Sequence, residues 1–140
     1  MADEAVITTL LGNAGDVVEF TVATGTAIPK GTLMQISASP QTAVIATAAS
    51  NFAGIAATEK TTTDGVTSMG LITHCVCELT CGAAETMVLG APVMVGAAAN
   101  EVDVATGDTV EDQSKIVGRA LETVGNNGTG AVLVNVGHRR

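Results

Sequence analysis

Apolar and polar residues alternate along most of this chain with a period of two, in short Val-, Ile- and Thr-rich runs cut by Gly, Asn, Asp and Pro. A strand imposes that period, because its successive side chains leave opposite faces of a sheet. The pattern predicts strands over residues 16–23, 32–37, 43–47, 52–58, 68–80, 92–95, 101–105, 115–123 and 130–136. Turn signals separate them: Ile28-Pro29-Lys30-Gly31, Ser39-Pro40, Asp64-Gly65, Leu89-Gly90-Ala91-Pro92 and Gly125-Asn126-Asn127-Gly128. Their Gly and Asn residues tolerate positive φ. The best helix candidate is residues 81–89, two turns at most, and the clusters at 48–50 and 97–99 are too short to nucleate alone.

The order of these strands repeats weakly. A first unit runs Gly31-Thr32-Leu33-Met34-Gln35-Ile36, Val44-Ile45-Ala46-Thr47 and Phe52-Ala53-Gly54-Ile55-Ala56-Ala57, and closes with a strand after Gly65. The second runs Gly90-Ala91-Pro92-Val93-Met94-Val95, Val102-Asp103-Val104-Ala105-Thr106 and Ile116-Val117-Gly118-Arg119-Ala120-Leu121, and closes after Gly128. In each, a Gly interrupts an apolar run, where a missing side chain permits a bulge, a bend or the close approach of another backbone. The expected fold is all-β: a compact β-barrel or β-sandwich built from two weakly repeated strand units, with an extended N-terminal arm.

The arm occupies residues 1–14, before a single β domain at 15–137 and a basic tail, His138-Arg139-Arg140, at 138–140. Ala5, Val6, Ile7, Thr8, Thr9, Leu10 and Leu11 have strand propensity, and Gly12-Asn13-Ala14-Gly15 follows as a flexible break. Such a segment can add to a neighbouring protein's sheet edge or to its own sheet as a first strand. These seven residues are the candidate partner-binding site.

Composition narrows the function. With Phe20 and Phe52 as its only aromatic residues, the chain builds an aliphatic core, which gains less burial per residue and favours oligomerisation. A formal charge of −8, six scattered basic residues and no aromatic stacking platform argue against nucleic acid as a partner. The acidic opening Met1-Ala2-Asp3-Glu4 is unlike a secretory signal, and the longest apolar stretch, near 43–57, is too broken for a membrane helix. A soluble protein made in the cytoplasm, with no membrane partner, is expected.

One cluster has chemical promise: His74-Cys75-Val76-Cys77-Glu78-Leu79-Thr80-Cys81. Alternation on a strand puts Cys75, Cys77 and Cys81 on one face with Leu79 and sends His74 to the other, whereas zinc ligands converge from turns. Core filling is the expectation, with a small metal-binding module as a lesser alternative. Asp103, Asp108, Glu111 and Asp112 fall in an expected polar hairpin or loop without a calcium-loop pattern. Asn127-Gly128-Thr129 matches a glycosylation sequon only formally. No nucleophile elbow or phosphate-binding loop is found, so no catalytic residue, cofactor or metal is assigned and the chain is expected to be non-enzymatic.

The chain resembles the capsid decoration, or head cement, proteins of tailed phages and archaeal tailed viruses. Gly15-Asp16-Val17-Val18-Glu19-Phe20-Thr21, the segment from Ile28 to Ile36, Phe52-Ala53-Gly54-Ile55-Ala56 and Leu89-Gly90-Ala91-Pro92-Val93 carry the resemblance. Ile116-Val117-Gly118-Arg119-Ala120-Leu121-Glu122 and Ala131-Val132-Leu133-Val134-Asn135-Val136 complete it. Cys75, Val76 and Cys77 depart from the Gly-Val-Phe type of residue found in the family before its central turn. The resemblance implies a homotrimer that binds the major capsid protein on the exterior of the mature capsid and stabilises the virion. A tail- or fibre-associated β module is the alternative within the same structural class.

Overall fold

The computed structural model describes residues 3–10, 17–47, 51–83, 85–105 and 110–136. Within them the strands are β1 (Val6–Leu10), β2 (Val18–Thr21), β3 (Leu33–Ile36), β4 (Ala43–Ile45), β5 (Phe52–Ala56), β6 (Ser68–Ile72), β7 (His74–Cys81), β8 (Pro92–Val95), β9 (Glu101–Val104), β10 (Ile116–Ala120) and β11 (Thr129–Asn135). A short helix, α1 (Val110–Lys115), lies between β9 and β10. The all-β expectation therefore describes the molecule.

One sheet runs β2-β6-β5-β3-β4 and the other β7-β11-β10-β8-β9, with β1 added beside β7. The second order is the first shifted by five strands. Each sheet also closes on itself. Thr80 and Cys81 of β7 pair parallel with Glu101 and Val102 of β9, and in the first sheet a parallel bridge joins Thr21 to Thr42. The molecule is a tandem of two five-stranded barrels.

The backbone bonds repeat as well. Ile28 and Lys60 exchange two bonds of 2.9 Å, as do Met87 and Val124. Gly31 N–H donates to the Ala56 carbonyl at 2.9 Å, and Gly90 N–H to the Ala120 carbonyl at 2.8 Å. The Ala57–Gly70 and Leu121–Ala131 bonds correspond in the same way. The unit is larger than the sequence pattern indicates, because β2 and β7 belong to it. The continuous strand expected over 68–80 is two strands, β6 and β7, with Thr73 as the corner where the chain passes from one barrel to the other. Val136 N–H donates to the Thr73 carbonyl at 2.9 Å and fixes that corner.

Two further expectations are corrected. Among the described residues of 81–89 there is no helix: Cys81 completes β7, and Met87 is committed to its bridge with Val124, a pairing that overrides local propensity. Helix occurs instead in the β9–β10 connection, eleven residues (105–115) against six (46–51) for its counterpart. Glu111 and Asp112 thus belong to α1 rather than to a polar hairpin or loop, Asp103 lies in β9, a strand of the β8–β9 hairpin, and Asp108 lies outside the described residues. The apolar cluster at 48–50 and the tail at 138–140 also lie outside them.

Small residues fill both barrels. Val22, Ile28, Met34, Ala43, Ala53, Ala56, Met69 and Leu71 form one buried cluster. The other joins Cys75, Cys77, Leu79, Cys81 and the inward-facing valines of β8–β11 to Leu33, Ala46, Phe52, Ile55 and Ile72 from the first half, so the two barrels share a core. Barrels this narrow need corners where backbones nearly touch. Gly54 is held at φ 147°, and a Cβ there would lie 2.8 Å from the Ile72 carbonyl oxygen. At the equivalent Gly118 the Cβ position is already taken by the Leu133 carbonyl oxygen, and the β10–β8 register shifts at this point. These are the two interrupting glycines of the sequence repeat.

A buried cation has no counterpart in the second half. Lys60 is 1% exposed, and its Nζ donates to the carbonyls of Thr24 (2.6 Å), Thr26 (3.0 Å) and Thr61 (3.2 Å). It thereby ties the loop after β2 to the loop before β6. Asp64 lies 3.7 Å from the ammonium and accepts from the Thr61 and Val66 N–H groups. Those N–H groups, Val66 first, hold its carboxyl below the ordinary carboxylate range. The position equivalent to Lys60 is Val124, so charge was accommodated in one barrel only.

Gly118→Ala is expected to cost about 3 kcal/mol or more in chemical denaturation, because backbone rather than a mobile side chain blocks the new methyl. Gly125→Ala, with nothing within 4 Å, should stay within about 0.5 kcal/mol of wild type. Lys60→Met should cost about 2–4 kcal/mol by leaving three carbonyls without their donor, measured by the shift in denaturation midpoint.

Candidate partner-binding surface

The arm lies on its own sheet. Val6 faces Glu78 and Ile7 faces Cys77; the register then shifts, and Thr9 pairs with Val76 and Leu10 with Cys75. Ala5 is buried, Ile7 packs against the shared core, and Val6 points outward, so the period-two pattern holds across Ala5–Ile7. Thr8 continues the strand, and Leu11 lies outside the described residues. Of the two pairings open to the arm, this is the intramolecular one. A second tie secures it: Ala5 N–H donates to the Gly31 carbonyl at 2.8 Å. Gly31 has φ 89°, and a Cβ on it would collide with the Ala5 carbonyl oxygen. One glycine thus serves both a left-handed turn and the close passage of the arm.

The pairing follows from the shape of β7. Eight residues long, it meets β11 along one edge from His74 to Thr80. On its other edge β9 reaches only Thr80 and Cys81. The remainder, Cys75–Glu78, is a lateral gap in the barrel wall, and β1 fills it.

The cysteine face is as alternation predicts. Cys75, Cys77, Leu79 and Cys81 point inward at 0% exposure, and His74 and Glu78 are exposed. All three thiols are free. Interaction with the Cys77 thiol lowers the Cys75 pKa, while the same contact, together with burial, pushes Cys77 far above the ordinary thiol range. Burial is also the first cause raising Cys81. Asp103 is raised by partial burial and by the charge of Glu85. Its carboxylate, with that of Glu101, approaches Gly82, where a Cβ would meet them. Among the described residues, no three His, Cys, Asp or Glu side chains are placed to hold a metal ion.

The surface has an apolar patch that the sequence pattern hides inside a turn. Val88, Leu89 and Leu121 are 49%, 64% and 43% exposed around Gly90. The turn beneath them is firmly built: Leu89 N–H donates to Thr123 Oγ1 at 3.0 Å, and Arg119 Nη1 to the Gly90 carbonyl at 3.1 Å. Charge is divided unevenly. Residues 17–72 carry Glu19, Glu59 and Asp64 against Lys30 and Lys60, whereas residues 74–136 carry eight carboxylates against Lys115 and Arg119. The acid excess of the chain is concentrated on the second barrel.

A thiol reagent such as a maleimide should label none of the three cysteines in the folded protein, and labelling should track unfolding as denaturant is raised. Rapid modification of Cys75 under native conditions would contradict the burial of that face. No family model matches this chain, and a search of curated proteins returns no match.

Proposed function

We propose that the protein is a non-enzymatic decoration, or cement, protein that binds the exterior of a mature tailed-virus capsid as a homotrimer and stabilises it. The observation that carries this reading is the placement of the residues that resemble the decoration family. Val18 to Thr21 form a strand of the first barrel, Phe52-Ala53-Gly54-Ile55-Ala56 and Ile116-Val117-Gly118-Arg119-Ala120 are the equivalent glycine corners of the two barrels, and Ala131 to Asn135 lie in β11, between β7 and β10 of the second. Those motifs therefore build the repeated barrel wall.

The physical character of the surface supports the same reading. Concentrated negative charge on one barrel suits exposure on the outside of a shell, where it opposes non-specific association, and an apolar turn at Leu89 offers an interface between copies. The mechanism is linkage. A protein that binds only the expanded lattice lowers its free energy by RT ln(1 + [L]/Kd) per site, about 2.7 kcal/mol at a free concentration one hundred times Kd.

Added to expanded capsids of the virus that encodes it, the protein is expected to raise their calorimetric melting temperature and to saturate in multiples of three copies. An unchanged capsid transition, with no co-sedimentation, would remove the reading. Deleting residues 1–13 should weaken capsid binding and also lower the protein's own melting temperature, since Ala5 and Ile7 belong to the shared core.

A further inference from the structure

The two barrels are built alike, and the gap that β1 fills in the second has an equivalent in the first. There β2 pairs with β6 on one edge, Val18 opposite Leu71 through Thr21 opposite Ser68. On its other edge the closing strand reaches it only at Thr21. Antiparallel alternation, fixed by the bond from Val22 N–H to the Thr67 carbonyl, turns the backbone of Val18 and Phe20 toward β6 and that of Val17 and Glu19 toward the open edge. Among the described residues no strand pairs with this edge.

The side chains record the difference. Val18, Phe20 and Val22 occupy the places of Cys77, Leu79 and Cys81, which are all 0% exposed. Val22 is buried to the same degree, but Val18 is 44% exposed and Phe20 only partly covered. Inward-facing residues of a barrel wall are thus open to solvent along the length that β1 covers in the other half. The Glu19 carbonyl is met by Gln41 Nε2 at 2.9 Å, a side-chain bond where the equivalent Glu78 faces Val6 of the arm.

We infer that the edge of β2 at Val17–Glu19 is a receiving slot for an extended strand from a different polypeptide, antiparallel to β2, with small or β-branched apolar residues at alternate positions, as Ala5 and Ile7 present in the filled slot. The arm of a second copy does not meet the need: among the described residues there is one arm for two slots, so an arm lent to a neighbour's β2 empties its own β7. On the decoration reading, on which this inference rests, the donor is a segment of the shell protein. The first barrel, nearly balanced in charge, is then the side that approaches the shell.

Amide hydrogen exchange of the full-length protein, free and bound to expanded capsids, tests this directly. Exchange at Val17 and Glu19, whose N–H groups face the open edge, should slow by about tenfold or more on binding, because those amides enter a ladder. Glu19→Pro removes an N–H that points away from β6, so the variant should keep its melting temperature yet bind capsids about tenfold more weakly. Capsid binding by wild type with unchanged exchange at Val17 and Glu19 would overturn the slot and leave the decoration reading standing. Protection there that grows with protein concentration without capsids would make a second copy the occupant and overturn the inference. Absence of any capsid binding would overturn the decoration reading, and with it the named donor.

Discussion

In each barrel one carbonyl oxygen occupies the space where a side chain would begin. Ile72 O lies against Gly54 and Leu133 O against Gly118, and these contacts let two short strands cross closely enough for a five-stranded wall to close. Closure matters more here than in a protein with a rich core. With two aromatic residues in the chain, burial per residue is small, and cohesion rests on backbone bonds that a closed wall leaves few of unpaired. The core is a consequence of that geometry: within so narrow a ring it is built mostly from Ala, Val, Ile, Met, Cys and Leu, with Phe52 as its one fully buried ring.

The fold class and most strand positions are legible in the sequence because alternation is the direct imprint of a half-buried strand. Residues 92–95 are read to the residue, as Pro92 and the surrounding turn signals mark both ends. The corner at Thr73 is not legible. Its neighbours Ile72 and His74 are as acceptable in one strand as in two, and only the closure of the first barrel forces a turn there. The helix misplaced to residues 81–89 shows the same limit, since Ala83 and Ala84 favour helix locally while Met87 is claimed by a pairing across the barrel. The inward cysteines follow from period two alone, whereas Lys60 gives no sign of burial: a lone cation between turn residues looks solvated until the Thr24 and Thr26 carbonyls are seen around it.

The halves have diverged along lines that the shared scaffold permits. Where the first barrel places an ammonium and three carbonyls, the second places Val124. Asn100, at positive φ in the second, accepts the Leu33 N–H of the first on its Oδ1 at 3.0 Å and so couples the barrels, while Gln41 at the same position turns back on β2. The second barrel carries the arm, the acid excess and the apolar turn; in the first, no strand among the described residues pairs with β2 along Val17–Glu19.

Thr73 leaves no slack between the barrels. A single residue separates β6 from β7, its carbonyl is bonded to Val136, and the core continues across the junction through Ile72 and Leu33. The molecule therefore behaves as a rigid gauge with two fixed jaws rather than as two beads on a tether. A surface that touches both barrels has to match the distance between them, and a surface whose repeat is too short or too long is refused by geometry alone, whatever the affinity of either contact.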